Sequence, residues 1–235
     1  MTEGAVSVVT GGGSGVGLAT ALSRGRSGGR VVICGRDARK LEAARRRILD
    51  HGAAACESVT LDLANAEGPD RLVGLAADRF GQIDLLVNSA AVAPRAHFTS
   101  ITDVSFDDCL AVNVAAVFRT TRAVWPLMER QGGGVIVNVS SLASIDPYPG
   151  FEVYGASKAW VNLFTEATAR EGARINIFVF AVCLGAVETP MLRQAFPEFA
   201  ADQTLDPNAV AEFIERLCDP TMQHASGQSL RYVKR

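Results

Sequence analysis

The sequence predicts a single α/β domain built on a doubly wound parallel sheet, and three observations carry that prediction. Apolar runs of strand length alternate with helical patterns over six units. The runs are apolar nearly throughout, as in strands covered on both faces, rather than at every second position. A glycine turn, Thr10-Gly11-Gly12-Gly13-Ser14-Gly15-Val16-Gly17, follows the first run and precedes the first helical pattern. At 235 residues the chain can bury a full core as one domain, residues 1–235, and 48% hydrophobic content with 22 glycines fits a packed α/β protein rather than a disordered chain.

Charge and composition exclude several classes of function. A net charge of −2 gives no global field toward nucleic acid or anionic membrane. No apolar run approaches the ~18 residues needed to span a bilayer, and the N-terminal stretch lacks a basic segment followed by a long apolar one. The expected location is the cytoplasm. The cysteines (Cys34, Cys56, Cys109, Cys183, Cys218) are odd in number, scattered and without a C-x-x-C pair, as expected of buried thiols in a reducing compartment. His51, His97 and His224 have no spacing that suggests a zinc site or a histidine triad, so no metal is expected.

The first unit runs from Val6-Ser7-Val8-Val9 through the glycine turn into Leu18-Ala19-Thr20-Ala21-Leu22. Strand, glycine turn and helix is the order that phosphate binding requires, because glycines let the backbone approach a pyrophosphate and the helix N-terminus offers free N–H groups. The glycines at 11, 15 and 17 give T-G-x-x-x-G-x-G rather than G-x-G-x-x-G. Gly11, Gly13, Ser14, Gly15, Val16 and Gly17 are the candidate contacts. The second strand, Arg30 to Cys34, closes on Gly35-Arg36-Asp37 before a basic helix from Ala38 to about Leu49. An acid after this strand would serve a ribose 2′-hydroxyl, whereas the Arg36 guanidinium suits a 2′-phosphate, which favours NADP(H) over NAD(H). Asp37 is the counter-indication if it turns inward.

Glu57 to Leu61 reads as a third strand ending at Asp62-Leu63, where the carboxylate either accepts from an adenine amino group or caps the next segment. A helix from about Pro69 to Phe80 leads to the fourth strand, Ile83 to Val87, which ends at Asn88-Ser89-Ala90-Ala91. Small residues there would let a ribose and nicotinamide lie close to the backbone. After a polar loop from Pro94 to Thr102, a helical pattern runs from about Val104 to Arg130, with Pro126 as a kink or stop. Asn113 falls inside it between Val112 and Val114, so its amide is either structural or holds a water near a site.

Gly132-Gly133-Gly134 precedes the fifth strand, Val135 to Val139, after which Ser141 presents a hydroxyl. Thirteen positions later Tyr154-Gly155-Ala156-Ser157-Lys158 places a phenol and an ammonium on one face if the segment is helical. A nearby cation favours the phenolate, lowering a pKa that lies near ~10 in model compounds and making Tyr154 a usable general acid/base. Ile175 to Cys183 reads as a doubly buried strand. The segment after it, 186–205, carries Met191, Leu192, Phe196 and Phe199 and reads as a substrate loop or as a packed surface helix. Asp206-Pro207 starts a last helix to about Leu217, and Ser229 to Val233 a short terminal strand.

Taken together, Thr10-Gly11-x-x-x-Gly15-x-Gly17, Asp62, Asn88-Ser89-Ala90, Asn113, Ser141 and Tyr154-x-x-x-Lys158 resemble the short-chain dehydrogenase/reductase family in order and approximate spacing. The resemblance implies a Rossmann-type fold, assembly as a homodimer or homotetramer, and hydride exchange between a nicotinamide and a carbonyl or alcohol. It implies that Tyr154 protonates the carbonyl oxygen, that Ser141 holds that oxygen, and that Lys158 lowers the Tyr154 pKa and binds the nicotinamide ribose. Asn113 would support a proton-relay water, and Thr189 with the backbone near Val187, beyond Gly185, would anchor the carboxamide. The sequence departs from the family pattern at Ser89, Ala91, Leu184 and Phe180.

The expected activity is that of an NADP(H)-dependent oxidoreductase on a small or medium carbonyl or secondary alcohol, with NAD(H) possible. Candidate pocket residues are Pro94, His97, Leu142, Ser144, Tyr148, Phe151, Glu152, Met191 and Phe196. Two alternatives are a cofactor-sensing protein without turnover and a 3-oxoacyl-carrier-protein reductase docking its carrier through Arg119, Arg122, Arg130 or Arg174.

Overall fold

The computed structural model describes residues 4–234. Seven strands form one sheet: β1 (Val6–Thr10), β2 (Arg30–Gly35), β3 (Ala55–Thr60), β4 (Leu85–Asn88), β5 (Gly134–Ser141), β6 (Ile177–Leu184) and β7 (Ser229–Tyr232). Their order is β3-β2-β1-β4-β5-β6-β7, and every pairing is parallel. Parallel neighbours need crossovers. These run through α1 (Gly15–Arg26), α2 (Ala38–Asp50), α3 (Gly68–Phe80), α4 (Asp103–Leu110), α5 (Ala116–Gln131), α6 (Glu152–Gly172), α7 (Pro190–Ala195) and α8 (Pro207–Leu217). The chain steps outward from β1 to β3, then returns to pair β4 with the other side of β1. That reversal opens a crevice at the C-terminal ends of the two strands.

The strand side chains alternate between two apolar layers. Val9, Val31, Ile33, Val87 and Val137 pack under α1, α2 and α8, whereas Val8, Val32, Leu86, Ile136 and Val179 pack under α3, α5 and α6. Burial on both faces explains why these segments read as unbroken apolar runs. Phe180, at a position where the family often has asparagine, is fully buried in the first layer.

Between α4 and α5 the helix widens into a π turn over Ala111–Ala115, centred on Asn113, so the predicted long helix is continuous in path but not in type. Pro126 neither stops nor terminates α5, which continues to Gln131. The lost N–H costs one helical bond, but Val124 and Met128 on either side are fully buried and hold the turn against the sheet.

Two buried polar features brace the frame. Arg24 of α1 donates from Nη1 to Glu215 of α8 at 2.7 Å and from Nε to Ser7 Oγ of β1 at 3.1 Å. Asn88 donates to Asn138 Oδ1 at 2.9 Å and accepts from Thr120 at 2.7 Å, while Asn138 donates to Thr165 at 2.9 Å, linking β4, β5, α5 and α6.

Candidate active site

A cavity of about 670 Å³ crosses the C-terminal ends of β1 through β6. Gly11, Gly13, Ser14, Gly15 and Val16 of the glycine turn line it. Gly11 has φ 67°, and a Cβ there would lie 3.0 Å from Ala90 Cα, so the two strand ends meet only because the side chain is missing. Ser14 precedes α1 without a side-chain cap bond, leaving first-turn N–H groups for an anion. Gly17 does not line the cavity. A Cβ on it would sit 2.5 Å from the Gly11 carbonyl oxygen, so its work is to seat the helix beneath the turn.

At the far end the cavity is bordered by Gly35, Arg36, Asp37 and Lys40. Asp37 is committed to the start of α2, accepting from the N–H groups of Arg39 and Lys40 at 3.0 and 3.1 Å, which hold its carboxyl below the usual range. Arg36 is exposed and enters no ion pair among the described residues. Arg36 and Lys40 therefore present positive charge at this end of the cavity. Asp62 and Leu63 also line the cavity, and Asp62 caps its own loop by accepting from Ala64 N–H at 3.0 Å. Asn88 is a correction. Its side chain is spent in the buried β4–β5 ladder and does not reach the cavity, which Ser89, Ala90 and Ala91 line instead.

Ser141, Tyr154 and Lys158 converge where β5 ends and α6 begins. Ser141 Oγ accepts from Ala143 N–H at 3.1 Å and, like Tyr154, lines the cavity. Burial pushes the phenol pKa up, and the Ser141 hydroxyl acts the other way. Lys158 is 3% exposed, donates from Nζ to Val139 O at 2.8 Å and lies 5.8 Å from the Tyr154 ring centroid. Burial lowers its own pKa to about 8. A hydroxyl and a phenol paired in this way can hold and exchange a proton with a third oxygen.

Asn113 is fully buried and does not line the cavity. Its Oδ1 accepts from Val92 N–H at 2.9 Å, and Nδ2 donates to Val92 O at 2.9 Å and Ser157 Oγ at 3.0 Å. Ser157 donates in turn to the Tyr154 carbonyl at 2.7 Å, so the π turn ties the loop after β4 to the head of α6.

Gly185, Val187 and Thr189 line the cavity on the β6 side. Thr189 caps α7, accepting from Leu192 N–H at 3.2 Å, and its Cγ2 would lie 3.1 Å from a Cβ on Gly15. The segment 186–205 closes the cavity with Met191, Leu192, Phe196 and Phe199. Phe151 and Phe196 stand 5.5 Å apart and Phe151 stands 5.4 Å from Tyr154, so an aromatic wall leads to the phenol. Arg193 pairs with Glu188 at 2.5 Å and donates to Phe199 O at 2.6 Å, fixing the segment internally. Of the pocket candidates, Leu142, Tyr148, Phe151, Met191 and Phe196 line the cavity. Pro94, His97, Ser144 and Glu152 do not: His97 bonds Thr99, and Glu152 accepts from Gly150 N–H.

Sequence reasoning missed Arg95, whose guanidinium lies 4.3 Å from the Phe196 ring centroid and donates to Ala195 O at 2.9 Å. No sequence signal singled it out in a polar loop. It also missed Asn162, although four residues beyond Lys158 is the next position on the same helical face. Of the arginines named for a docking patch, Arg119 donates to Ala64 O at 3.2 Å and Arg122 lies over the Phe118 ring.

Comparison with known proteins agrees with this geometry. The family model described as short chain dehydrogenase matches residues 5–199. A 2-(R)-hydroxypropyl-CoM dehydrogenase of Xanthobacter autotrophicus is 37% identical over 191 residues, 79% of this chain and 76% of that enzyme. Among solved structures, a variant actinorhodin polyketide ketoreductase with NADPH superposes with a TM-score of 0.92 at 30% identity, covering 99% of this chain and 98% of that one. A 3-ketoacyl-(acyl-carrier-protein) reductase from Brucella melitensis complexed with NADH superposes with a TM-score of 0.91 at 32% identity, covering 98% and 97%.

Proposed function

The chain belongs to the short-chain dehydrogenase/reductase family and is an NAD(P)-dependent oxidoreductase; from that premise we propose that it interconverts a carbonyl and a secondary alcohol, with NADP(H) preferred and Tyr154 as general acid/base. The observation that carries the reading is the convergence of Ser141, Tyr154 and the buried Lys158 on one wall of the cavity. The uncapped start of α1 and the glycine cradle suit a pyrophosphate, and Arg36 with Lys40 suits a 2′-phosphate. NADPH and NADH are each bound by structural relatives, so NAD(H) remains the competing partner. When bound, the nicotinamide supplies the hydride.

In reduction, Ser141 donates its hydrogen to the substrate oxygen, because Ala143 N–H already occupies an acceptor site on its Oγ. Tyr154 gives its phenolic proton to that same oxygen as negative charge develops there. The Lys158 charge, held near the phenol, stabilises the phenolate left behind. Asn113 acts through the π turn it fixes, since both ends of its amide are occupied by Val92 and Ser157. Val187 and Thr189, with Gly185, border the nicotinamide end.

The wall formed by Phe151, Phe196, Tyr148 and Met191 favours an apolar or aromatic ketone of small to medium size. Exposed Phe106, Phe118 and Leu163 on α4, α5 and α6 support self-association through that face. No helix among the described residues is long and apolar enough to cross a membrane, and five free thiols fit a reducing compartment such as the cytoplasm.

A panel of ketones and aldehydes, followed by loss of reduced-nicotinamide absorbance with each cofactor, tests the reading. Tyr154→Phe should lower kcat by about 10²–10⁴-fold while cofactor affinity stays unchanged. Cofactor binding without turnover across the panel would instead support a sensor.

A further inference from the structure

Beneath the catalytic pair runs a directed chain of hydrogen bonds with no part in the mechanism above. Cys183 of β6 donates to Asn162 Oδ1 at 3.5 Å, Asn162 Nδ2 donates to Ser144 Oγ at 2.8 Å, and Ser144 donates to the carbonyl oxygen of Ser141 at 2.5 Å. Each donor points the same way. Ser144 has a single hydrogen, and because Asn162 fills an acceptor position on its Oγ, that hydrogen is left for Ser141. Asn162 lies one helical turn beyond Lys158 on α6, and Cys183 pairs in register with Ser140, next to Ser141. The chain therefore joins the last residue of β5 to the helix that carries Tyr154 and Lys158.

We propose that Asn162 and Ser144 are positioning residues that hold the Ser141 hydroxyl against Tyr154. The inference rests on the assignment of Ser141 and Tyr154 to proton transfer. Geometry supplies the reason. The peptide of Ser141 leads into a short 3₁₀ turn, Leu142–Ser144, and nothing else in that turn ties the Ser141 carbonyl to α6. Fixing that carbonyl fixes the plane from which the Ser141 side chain departs. With Ala143 N–H setting one acceptor side of Oγ, the hydroxyl is held on the cavity wall that Tyr154 also lines. Losing either link lets the Ser141 peptide rotate, and the Ser141 influence that opposes the burial effect on Tyr154 weakens.

The test is the titration of Tyr154 with its tyrosinate ultraviolet absorbance, taken as the difference between each protein and its Tyr154→Phe counterpart and measured with NADP⁺ bound. The titratable groups that face the site are Lys158 on the same helix, Cys109 on α4, Cys183 on β6, and Asp146 and Tyr148 in the loop before α6, and none is altered. Asn162→Leu and Ser144→Ala should each raise the midpoint by about one pH unit and lower kcat about tenfold. NADPH affinity should stay within about twofold. Ser144→Thr, which keeps the hydroxyl, should restore both values.

The proposal is overturned if Asn162→Leu and Ser144→Ala titrate and turn over like the parent protein, or if Ser144→Thr is as impaired as Ser144→Ala. Should Asn162→Leu fail to fold, Ser144→Ala, which removes one oxygen, decides the matter alone. A parent protein that turns over nothing would sink the assignment of proton transfer, yet the titration would still report on the bracket.

Discussion

Lys158 Nζ donates to the main-chain carbonyl of Val139 at 2.8 Å, on the strand that two residues later delivers Ser141. The amine is almost fully buried, and burial lowers its pKa from 10.5 to about 8. Below about pH 8 the folded protein carries a charge its surroundings disfavour. Between about 8 and 10.5 the unfolded chain binds more protons than the folded one, so this group makes stability rise with pH across that window. Lys158→Met should therefore abolish turnover and yet stabilise the cofactor-free protein at neutral pH by roughly 1–3 kcal/mol, the lost Val139 bond offsetting part of the gain. Thermal unfolding of both proteins from pH 7 to 10 checks this: the advantage of the variant should shrink as pH rises, and a less stable variant at pH 7 would contradict it.

Arg36 should set the cofactor preference. Asp37 is held by the start of α2, which leaves the Arg36 guanidinium as the uncommitted charge at this end of the cavity. Arg36→Ala should raise KM for NADPH by about 10- to 100-fold, the loss of a charge-assisted bond, and leave KM for NADH within a factor of about two. Equal effects on both cofactors would show that Arg36 does not read the 2′-position.

Arg95 bridges the loop after β4 and the segment that closes the cavity, stacking on Phe196 and bonding to Ala195 O. Arg95→Ala removes a contact worth about 0.5–2 kcal/mol at a partly exposed site. The expected result is a several-fold rise in ketone KM, faster proteolysis between 195 and 200, and unchanged cofactor affinity. Protease sensitivity identical to that of the parent would argue that the segment is held by Glu188–Arg193 alone.

Asn88 provides the opposite case, a residue in the cofactor-binding segment with a structural task. Asn88→Ala leaves Asn138 Oδ1 without its donor inside the core, while the Thr120 hydroxyl keeps the Ala116 carbonyl, and should cost about 1–3 kcal/mol of unfolding free energy. Cofactor affinity should barely change. A large loss of NADPH binding with little loss of stability would restore the contact role.

The parts of this fold that the sequence made legible are those with strong local causes. Doubly buried strands gave continuous apolar runs, and the Tyr154–Lys158 step needed only helical geometry to bring two side chains together. Boundaries were less legible: α6 starts at Glu152 rather than Tyr154, and β6 starts at Ile177 rather than Ile175, because helix and strand ends are set by tertiary hydrogen bonds. The fate of Asn88 and Ser144 could not be read, since the partners that claim them lie 18 to 50 positions away. Pro126 misled for the same reason, its helix being kept by buried neighbours rather than by local preference.

The Arg24–Glu215 pair gives the C-terminal portion an importance that its distance from the chemistry conceals. It fastens the helix whose uncapped N-terminus opens on the cavity to the last helix of the chain, with Arg24 Nη2 and Glu215 Oε1 left without partners among the described residues. Cutting the protein short before Pro207 would strip the counter-charge from a sequestered guanidinium, and the nucleotide platform would lose its footing long before any reacting atom was disturbed.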